Sequence, residues 1–382
     1  MSENALEREE RLREEEMATA PKKDRIGAAE GFGSHDYKLF EKQVMKKLGG
    51  RMSGEVDEPK GIGTGSFRLD MALTEAFPLG YMSEIFAQNG VGKTTLALEI
   101  CGQHQSNGGL VGYLDVEGSL NRSLISSIQT LDINKVDADG NPLWIYREGL
   151  VHDKEDEDEV RVLSGEENLQ YAETFLSTFK NAVLVIDSID ALLPDAILNG
   201  GEIGKQTIGK LAKLMSDACR KLKSICKKNK NCLIWINQVR ENPGKMFGDP
   251  EVTPGGHAVK FYSSQRLKLS KGEAKANFDI DADGNINGHL IKVKVVKNKM
   301  ATTNNAPEFW LKYGEGIDRA REITELSLEL GIVENEKTSY YFDRGTPEEK
   351  KFVGRAKAAA YIANNPSVYA SLEKQLLEML GR

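Results

Sequence analysis

Residues 87–95 read AQNGVGKTT, entered by an apolar run, YMSEIFA (81–87), and left by a helix-forming run, Thr94–Gln105. This is the phosphate-loop pattern at Gly92-Lys93-Thr94, with Ala87 in the place of the first glycine. Between them lie Gln88, Asn89, Gly90 and Val91. Backbone N–H groups at such a helix start can surround phosphate oxygens, assisted by the helix dipole. Lys93 is expected to reach the β- and γ-phosphates and Thr94 to ligate Mg²⁺. Three further segments end in polar side chains suited to the same chemistry. VLVIDS (183–188) reads as a buried strand delivering Asp187 to its C-terminal edge, where ligands of open parallel sheets bind and where Mg²⁺ needs a carboxylate. In YLDVEG (113–118), Asp115 and Glu117 are two apart and are expected to share one side of a strand. Glu117 is the candidate to position or deprotonate a water for phosphoryl transfer. WINQVR (235–240) brings Asn237 and Gln238 to the same edge, and an amide there can sense a γ-phosphate without titrating.

These side chains need a scaffold, and the chain supplies its pattern. Apolar runs at 81–87, 110–117, 182–189, 232–239, 265–270, 289–297 and 308–313 alternate with helical ones, of which 94–105 and the basic, apolar-striped 208–227 are clearest. That alternation predicts an α/β domain with a mostly parallel sheet covered on both faces, extended by later antiparallel strands. Four units are expected: a charged extension (1–34), an N-terminal helix and strand (35–60), the core (61–316) and a small α+β domain (317–382). The last should hold helices at 318–330, 347–363 and 366–380 around a short SYYF strand. Fourteen of the first 25 residues are charged, which suits a disordered or frayed extension. Leu39, Phe40, Val44, Met45 and Leu48 stripe one face of a helix that ends at Gly49-Gly50 and must bury that face somewhere.

Composition excludes several classes. Among 382 residues no apolar run approaches the ~18 needed to cross a bilayer. The charged N-terminus is unlike a secretory signal, and the four cysteines form no CxxC, which fits a reducing cytosol. A net charge of −7 excludes a globally basic nucleic-acid coat but not local basic patches. GIGTG (61–65) lacks the strand and spacing of a dinucleotide site and reads as a turn. DIDADGNIN (279–287) imitates a calcium loop, but Leu290 stands where the bidentate glutamate belongs, so a hairpin turn is expected. The acidic DKEDEDE (153–159) reads as a solvated loop, with an electrostatic gate beside a polyanion site as the sharper alternative.

Taken together, TGSFRLDMAL (64–73), EIFAQNGVGKTT (84–95), VIDSIDALLP (185–194), NGGEIG (199–204), INQVRENPGKMFGDPEVTPGGHAVKFY (236–262), KVKVVKNK (292–299) and YGEGID (313–318) resemble the RecA family of ATP-dependent homologous-recombination proteins. AAAYIANNP (358–366) resembles the C-terminal domain of bacterial members, and the likeness covers roughly residues 36–380. It implies a RecA-type core and helical filaments on single- and double-stranded DNA. ATP and Mg²⁺ would lie between subunits, and accessory partners would include single-strand-binding and loader proteins. Gly92, Lys93, Thr94 and Thr95 match the phosphate loop, Glu117 the catalytic glutamate, Asp187 the Mg²⁺ aspartate and Gln238 the γ-phosphate sensor. Lys297 and Lys299 match lysines that reach a neighbour's ATP, and Lys260 and Phe261 the segment coupling nucleotide state to packing. DNA contacts are implied for two loops at about 199–209 and 239–254. They involve Lys205, Gln206 and Ile208 in the first, and Arg240, Lys245, Met246, Phe247 and then Gly255 and Gly256 in the second. Lys213 and Arg220 are implied on the helix between. The helix at 36–48 resembles one that members lay on the adjacent subunit.

Departures from the family pattern sharpen the alternatives. Leu124 stands where bacterial members place an adenine-stacking tyrosine, Asn121 in place of an aspartate, Asn89 in place of a loop glutamate. Pro243 replaces an aliphatic wedge, and Lys205 an aspartate. The acidic insert is extra, and the sequence ends at Gly381-Arg382 without the family's acidic tail. Such divergence suits a bacteriophage-encoded or distant bacterial member. The expected function is DNA-stimulated ATP hydrolysis coupled to strand exchange. The alternatives are a filament protein that binds ATP as a clamp and hardly hydrolyses it, and a hexameric helicase on the same core.

Overall fold

The computed structural model describes residues 60–379 apart from 75, 153–159, 201–208, 242–250, 282 and 302–305. Among the described residues, ten strands form the main sheet: β1 (Met82–Ala87), β2 (Val111–Asp115), β3 (Trp144–Glu148), β4 (Val183–Asp187), β5 (Cys232–Gln238), β6 (Gln265–Lys271), β7 (Phe278–Ile280), β8 (Ile286–Asn298), β9 (Glu308–Lys312) and β10 (Gly316–Ile317). Their order is β10-β9-β8-β6-β1-β5-β4-β2-β3, with β7 hairpinned onto β8. From β6 to β3 every neighbour is parallel, and from β6 outward to β10 every neighbour is antiparallel. The expected α/β architecture with an antiparallel extension therefore holds. The turn at Asp281–Asn285 joins β7 to β8 as a hairpin, its Asp281 carboxylate accepting from the amides of Asp283 and Asn285.

Two-residue periodicity sends the strand side chains to two cores. Val111, Tyr113, Val183, Val185, Ile234 and Ile236 pack with Leu96, Ile100 and Cys101 of α2 (Lys93–Ser106). Their alternates Leu114, Leu184, Ile186, Leu233 and Trp235 pack beneath α4 (Gly165–Thr178), α5 (Lys210–Asn229) and α6 (Gly256–Tyr262). Here α1 is Phe67–Leu73 and α3 is Arg122–Ser126. The parallel strands are thus covered on both faces, and their C-terminal ends are left for ligands. A third core gathers Ile323 and Leu326 of α7 (Arg319–Glu329), Ile362 of α8 (Arg355–Ala363), Leu372 and Leu376 of α9 (Pro366–Met379), Phe342 and Phe67.

Several expectations need correction. Strand β2 ends at Asp115 rather than 117, because the Asp115 carboxylate turns the chain by accepting from the amides of Gly118, Ser119 and Leu120. The helix expected over 347–363 begins only at Arg355. Lys350–Val353 is a strand paired with Ser339–Phe342, and Gly354, at φ 94°, separates the two. Strand β3 and helix α4 were not among the expected elements. The latter opens on a capping box between Ser164 and Glu167. The helix at 36–48 and the insert at 153–159 lie outside the described residues. Among the described residues no helix is long and apolar enough to cross a membrane.

Candidate functional site

Strand β1 is buried to its last residue, Ala87, after which Gln88, Asn89 and Gly90 are exposed and Val91 is buried again. Gly92 adopts φ 113°, and a Cβ there would lie 2.5 Å from Leu311 Cδ1 and 2.9 Å from Ile291 Cδ1. Only glycine fits both the dihedral and the space. Gly92 also caps α2 without offering a side chain, so the first amides of the helix are left for a ligand. Lys93 is almost fully buried, and its Nζ donates to the Gln88 carbonyl at 3.0 Å. Burial pulls its pKa down, against the opposing fields of Asp187 and Glu117. A buried cation whose bonded partner is a carbonyl calls for an anion. Thr94 and Thr95 follow it at the mouth of a cavity of about 310 Å³, which Leu124, His289 and Tyr313 also line.

Asp187 ends β4 beside this loop. Its Oδ2 accepts from Thr94 Oγ1 and from the Tyr113 hydroxyl, each at 2.8 Å. Burial pushes its carboxyl up to about 6, while the Tyr113 and Thr94 bonds pull it down. A hydroxyl and a buried carboxylate brought together at a phosphate loop are the oxygen donors that Mg²⁺ takes alongside triphosphate oxygens. The residues present therefore fit the metal and the nucleotide that the sequence implies.

Glu117 departs from expectation. It does not share a strand face with Asp115, since it lies past the end of β2 on an exposed turn while Asp115 is fully buried. The turn is nonetheless fixed, because the amides of Val116 and Glu117 both donate to the Asp187 carbonyl, at 2.7 and 3.0 Å. Asp115 is absorbed by three backbone amides and the Tyr146 hydroxyl.

At the end of β5, Asn237 is buried and Gln238 half-buried. Asn237 Nδ2 donates to Glu84 Oε1 at 2.9 Å and to the Pro254 carbonyl at 3.1 Å, and its Oδ1 accepts from the Gln238 amide. Lys297 Nζ donates to the carbonyls of Lys260 and Phe261 at 2.7 and 2.9 Å. Burial lowers its pKa to about 8, helped by Lys299 and Arg266. Phe261 is 67% exposed, and the Lys299 Nζ lies 6.0 Å from its ring centroid.

The DNA-side expectations divide. Lys205, Gln206, Ile208, Lys245, Met246 and Phe247 lie outside the described residues, as does Pro243. Lys213 and Arg220 are exposed along α5, and Arg240 is exposed, donating to Asp190. Gly255 and Gly256 both take positive φ at the start of α6, and a Cβ on Gly256 would lie 2.8 Å from Ala212 Cβ of α5. Asn121 spends its side chain capping α3, its Oδ1 accepting from the Leu124 amide at 2.9 Å.

Four residues at the site had not been singled out for it. Tyr113 orients Asp187, and Glu84 holds Asn237. His289 places Nε2 3.3 Å from the Val91 carbonyl and Nδ1 3.1 Å from the Tyr313 hydroxyl. Burial lowers its pKa, so the neutral ring donates from Nε2 to the loop and accepts at Nδ1. Tyr313 sits in YGEGID, a motif that could have marked it. The other three required knowledge of strand pairing.

A mostly parallel sheet whose β1 strand ends in this loop, with Asp187 on a nearby strand end, is a RecA-type phosphate-loop core. A family model described as the RecA N-terminal domain matches residues 34–143 and 156–318. The protein RecA of Aquifex pyrophilus is 35% identical over 328 residues, covering 86% of this chain and 85% of that protein. The protein RecA of Staphylococcus aureus strain JH9 is 34% identical over 345 residues, covering 90% and 89%. The chain belongs to the RecA family and is a RecA-like recombination protein. The family's members are ATP-binding, DNA-dependent ATPases.

Proposed function

We propose that this protein polymerises on single-stranded DNA in the presence of ATP and Mg²⁺, pairs it with homologous duplex and exchanges strands, hydrolysing ATP as it does so. The observation that carries the reading is Lys93, a nearly buried cation bonded to a backbone carbonyl at the base of a glycine-rich loop. Its charge and the free amides of α2 hold the β- and γ-phosphates. Thr94 and Asp187 would hold Mg²⁺, which when bound would neutralise charge on the phosphate oxygens. Glu117, on the turn tied to the Asp187 carbonyl, positions the attacking water and accepts its proton. Gln238 senses the γ-phosphate at the end of β5. Lys297 and Lys299 reach a neighbouring subunit's nucleotide, with Lys260 and Phe261 packed beside them, so that ATP stabilises the filament and hydrolysis loosens it. Tyr313 and His289 form the base-side wall that Leu124 does not supply as an aromatic.

DNA binding is read from Arg240, Lys213, Arg220, Gly255, Gly256 and the loops beyond them. It should track the phosphate backbone, with steep salt dependence and little sequence preference. A second reading, an ATP-clamped filament protein with little turnover, is favoured by Leu124 in the cavity wall. The discriminating experiment is strand exchange between circular single strands and homologous linear duplex with ATP. Joint molecules and displaced strand support the recombinase. ATP-dependent DNA coating with no exchange and no phosphate release supports the clamp.

A further inference from the structure

Glu84 is fully buried in the middle of β1, and both oxygens of its side chain accept hydrogen bonds from neighbouring strands. Oε1 accepts from Asn237 Nδ2 at 2.9 Å, and Oε2 accepts from Arg266 Nε. Through Asn237 it reaches the Gln238 amide at the sensing end of β5, and the Pro254 carbonyl where the 239–254 loop returns to α6. Through Arg266 it reaches β6, where Arg266 pairs directly opposite Lys297 of β8 across an irregular register. Lys297 in turn holds the last carbonyls of α6. The guanidinium of Arg266 lies 4.7 Å from the Phe86 ring centroid, which closes the network against β1 itself.

A buried ion pair is weak evidence for stability, since an apolar pair of similar volume often folds as well or better. Here the polar groups join three segments that the proposed function assigns separately: the γ-phosphate sensor, the return of a DNA loop, and the strand bearing the cross-subunit lysines. We infer that Glu84 is a positioning residue whose carboxylate makes these three segments move together, so that nucleotide state and DNA occupancy are read by one another. The inference rests on the recombinase reading. Fully satisfied buried networks have few alternative arrangements, which lets a small displacement at Gln238 act at Pro254 and Lys297 rather than dissipate.

The test uses the full chain with Glu84→Gln, and separately Glu84→Gln combined with Arg266→Met, which removes the buried charges together and protects the fold. Three quantities are read: affinity for a fluorescent ATP analogue, thermal unfolding, and the ratio of hydrolysis with to hydrolysis without single-stranded DNA. The expected result is nucleotide affinity within about twofold of wild type in the double variant, with the DNA-stimulation ratio reduced at least about tenfold, the usual scale of a coupling between sites. A purely structural pair would lower the melting temperature of the single variant and leave the ratio intact in the double, and that outcome overturns the inference. Absence of DNA stimulation in the wild type itself overturns the recombinase reading, and the coupling with it.

Discussion

Replacing Tyr113 with phenylalanine tests whether this hydroxyl sets the charge of the proposed metal ligand. Tyr113 is fully buried and donates to Asp187 Oδ2 at 2.8 Å. Burial pushes the Asp187 carboxyl up to about 6, and the Tyr113 bond is the larger of the two that hold it down. A hydrogen bond to a charged group contributes about 1.5–3 kcal/mol, and about 1.4 kcal/mol corresponds to one pH unit. Tyr113→Phe should therefore raise the midpoint by about one pH unit, to about 7. At pH 6.5 the ionised fraction falls from about three quarters to about one quarter, whereas at pH 8 both proteins are about nine-tenths ionised or more. Metal binding needs the carboxylate, so the Mg²⁺ requirement for ATP binding should rise about threefold at pH 6.5 and hardly at all at pH 8. Titrating Mg²⁺ against a fluorescent ATP analogue at both pH values measures this. Equal Mg²⁺ midpoints at pH 6.5 would show that the Tyr113 hydroxyl does not set the charge of Asp187. A loss of equal size at both pH values would show that Tyr113 acts through packing instead.

Glu117→Gln should keep ATP and DNA binding while lowering turnover by about two to four orders of magnitude, and near-normal phosphate release would remove Glu117 from the chemistry. Gly92→Ala should lose nucleotide binding. It should also lower the urea midpoint, since its Cβ meets Leu311 and Ile291 at a positive φ and overpacking alone costs about 1–3 kcal/mol; a wild-type midpoint contradicts this. Glu99 accepts from the Ile317 amide at 2.9 Å, and burial raises its carboxyl from 4.5 to about 7. The native state thus keeps a proton that the unfolded chain releases near 4.5, and stability falls as pH rises from there through about 7. Glu99→Gln removes this loss, so its stability relative to wild type should improve from pH 5 to pH 8 by up to about 3 kcal/mol. A difference independent of pH would show that Glu99 is not the titrating group.

What was legible in the sequence was what is local. The loop at 87–95, the run ending in Asp187 and the pair Asn237-Gln238 each sit on one element whose period and punctuation identify it. The strand order was not legible, because the β1-β5-β4-β2 register is set by pairing between segments tens of residues apart. Tyr113 could not be assigned to Asp187, nor Glu84 to Asn237 and Arg266, until those strands were placed side by side. Glu117 lies off the expected strand face for a different reason. Two-residue alternation continues in the sequence past Asp115, but the Asp115 side chain bonds the backbone ahead of it and ends the strand there. Lys350–Val353 does not stand out as a strand in the sequence, because a short strand beside Gly354 has too few residues to display its period.

In the proposed activity, an ATP site at Lys93, Asp187 and Glu117 answers to DNA. ATP hydrolysis should be measured with and without long single-stranded DNA at fixed low salt and Mg²⁺, because backbone contacts are salt-sensitive. The single strand should stimulate hydrolysis strongly, and Lys93→Ala should abolish that stimulation. Hydrolysis that is negligible, or indifferent to DNA while ATP still drives DNA binding, would contradict it.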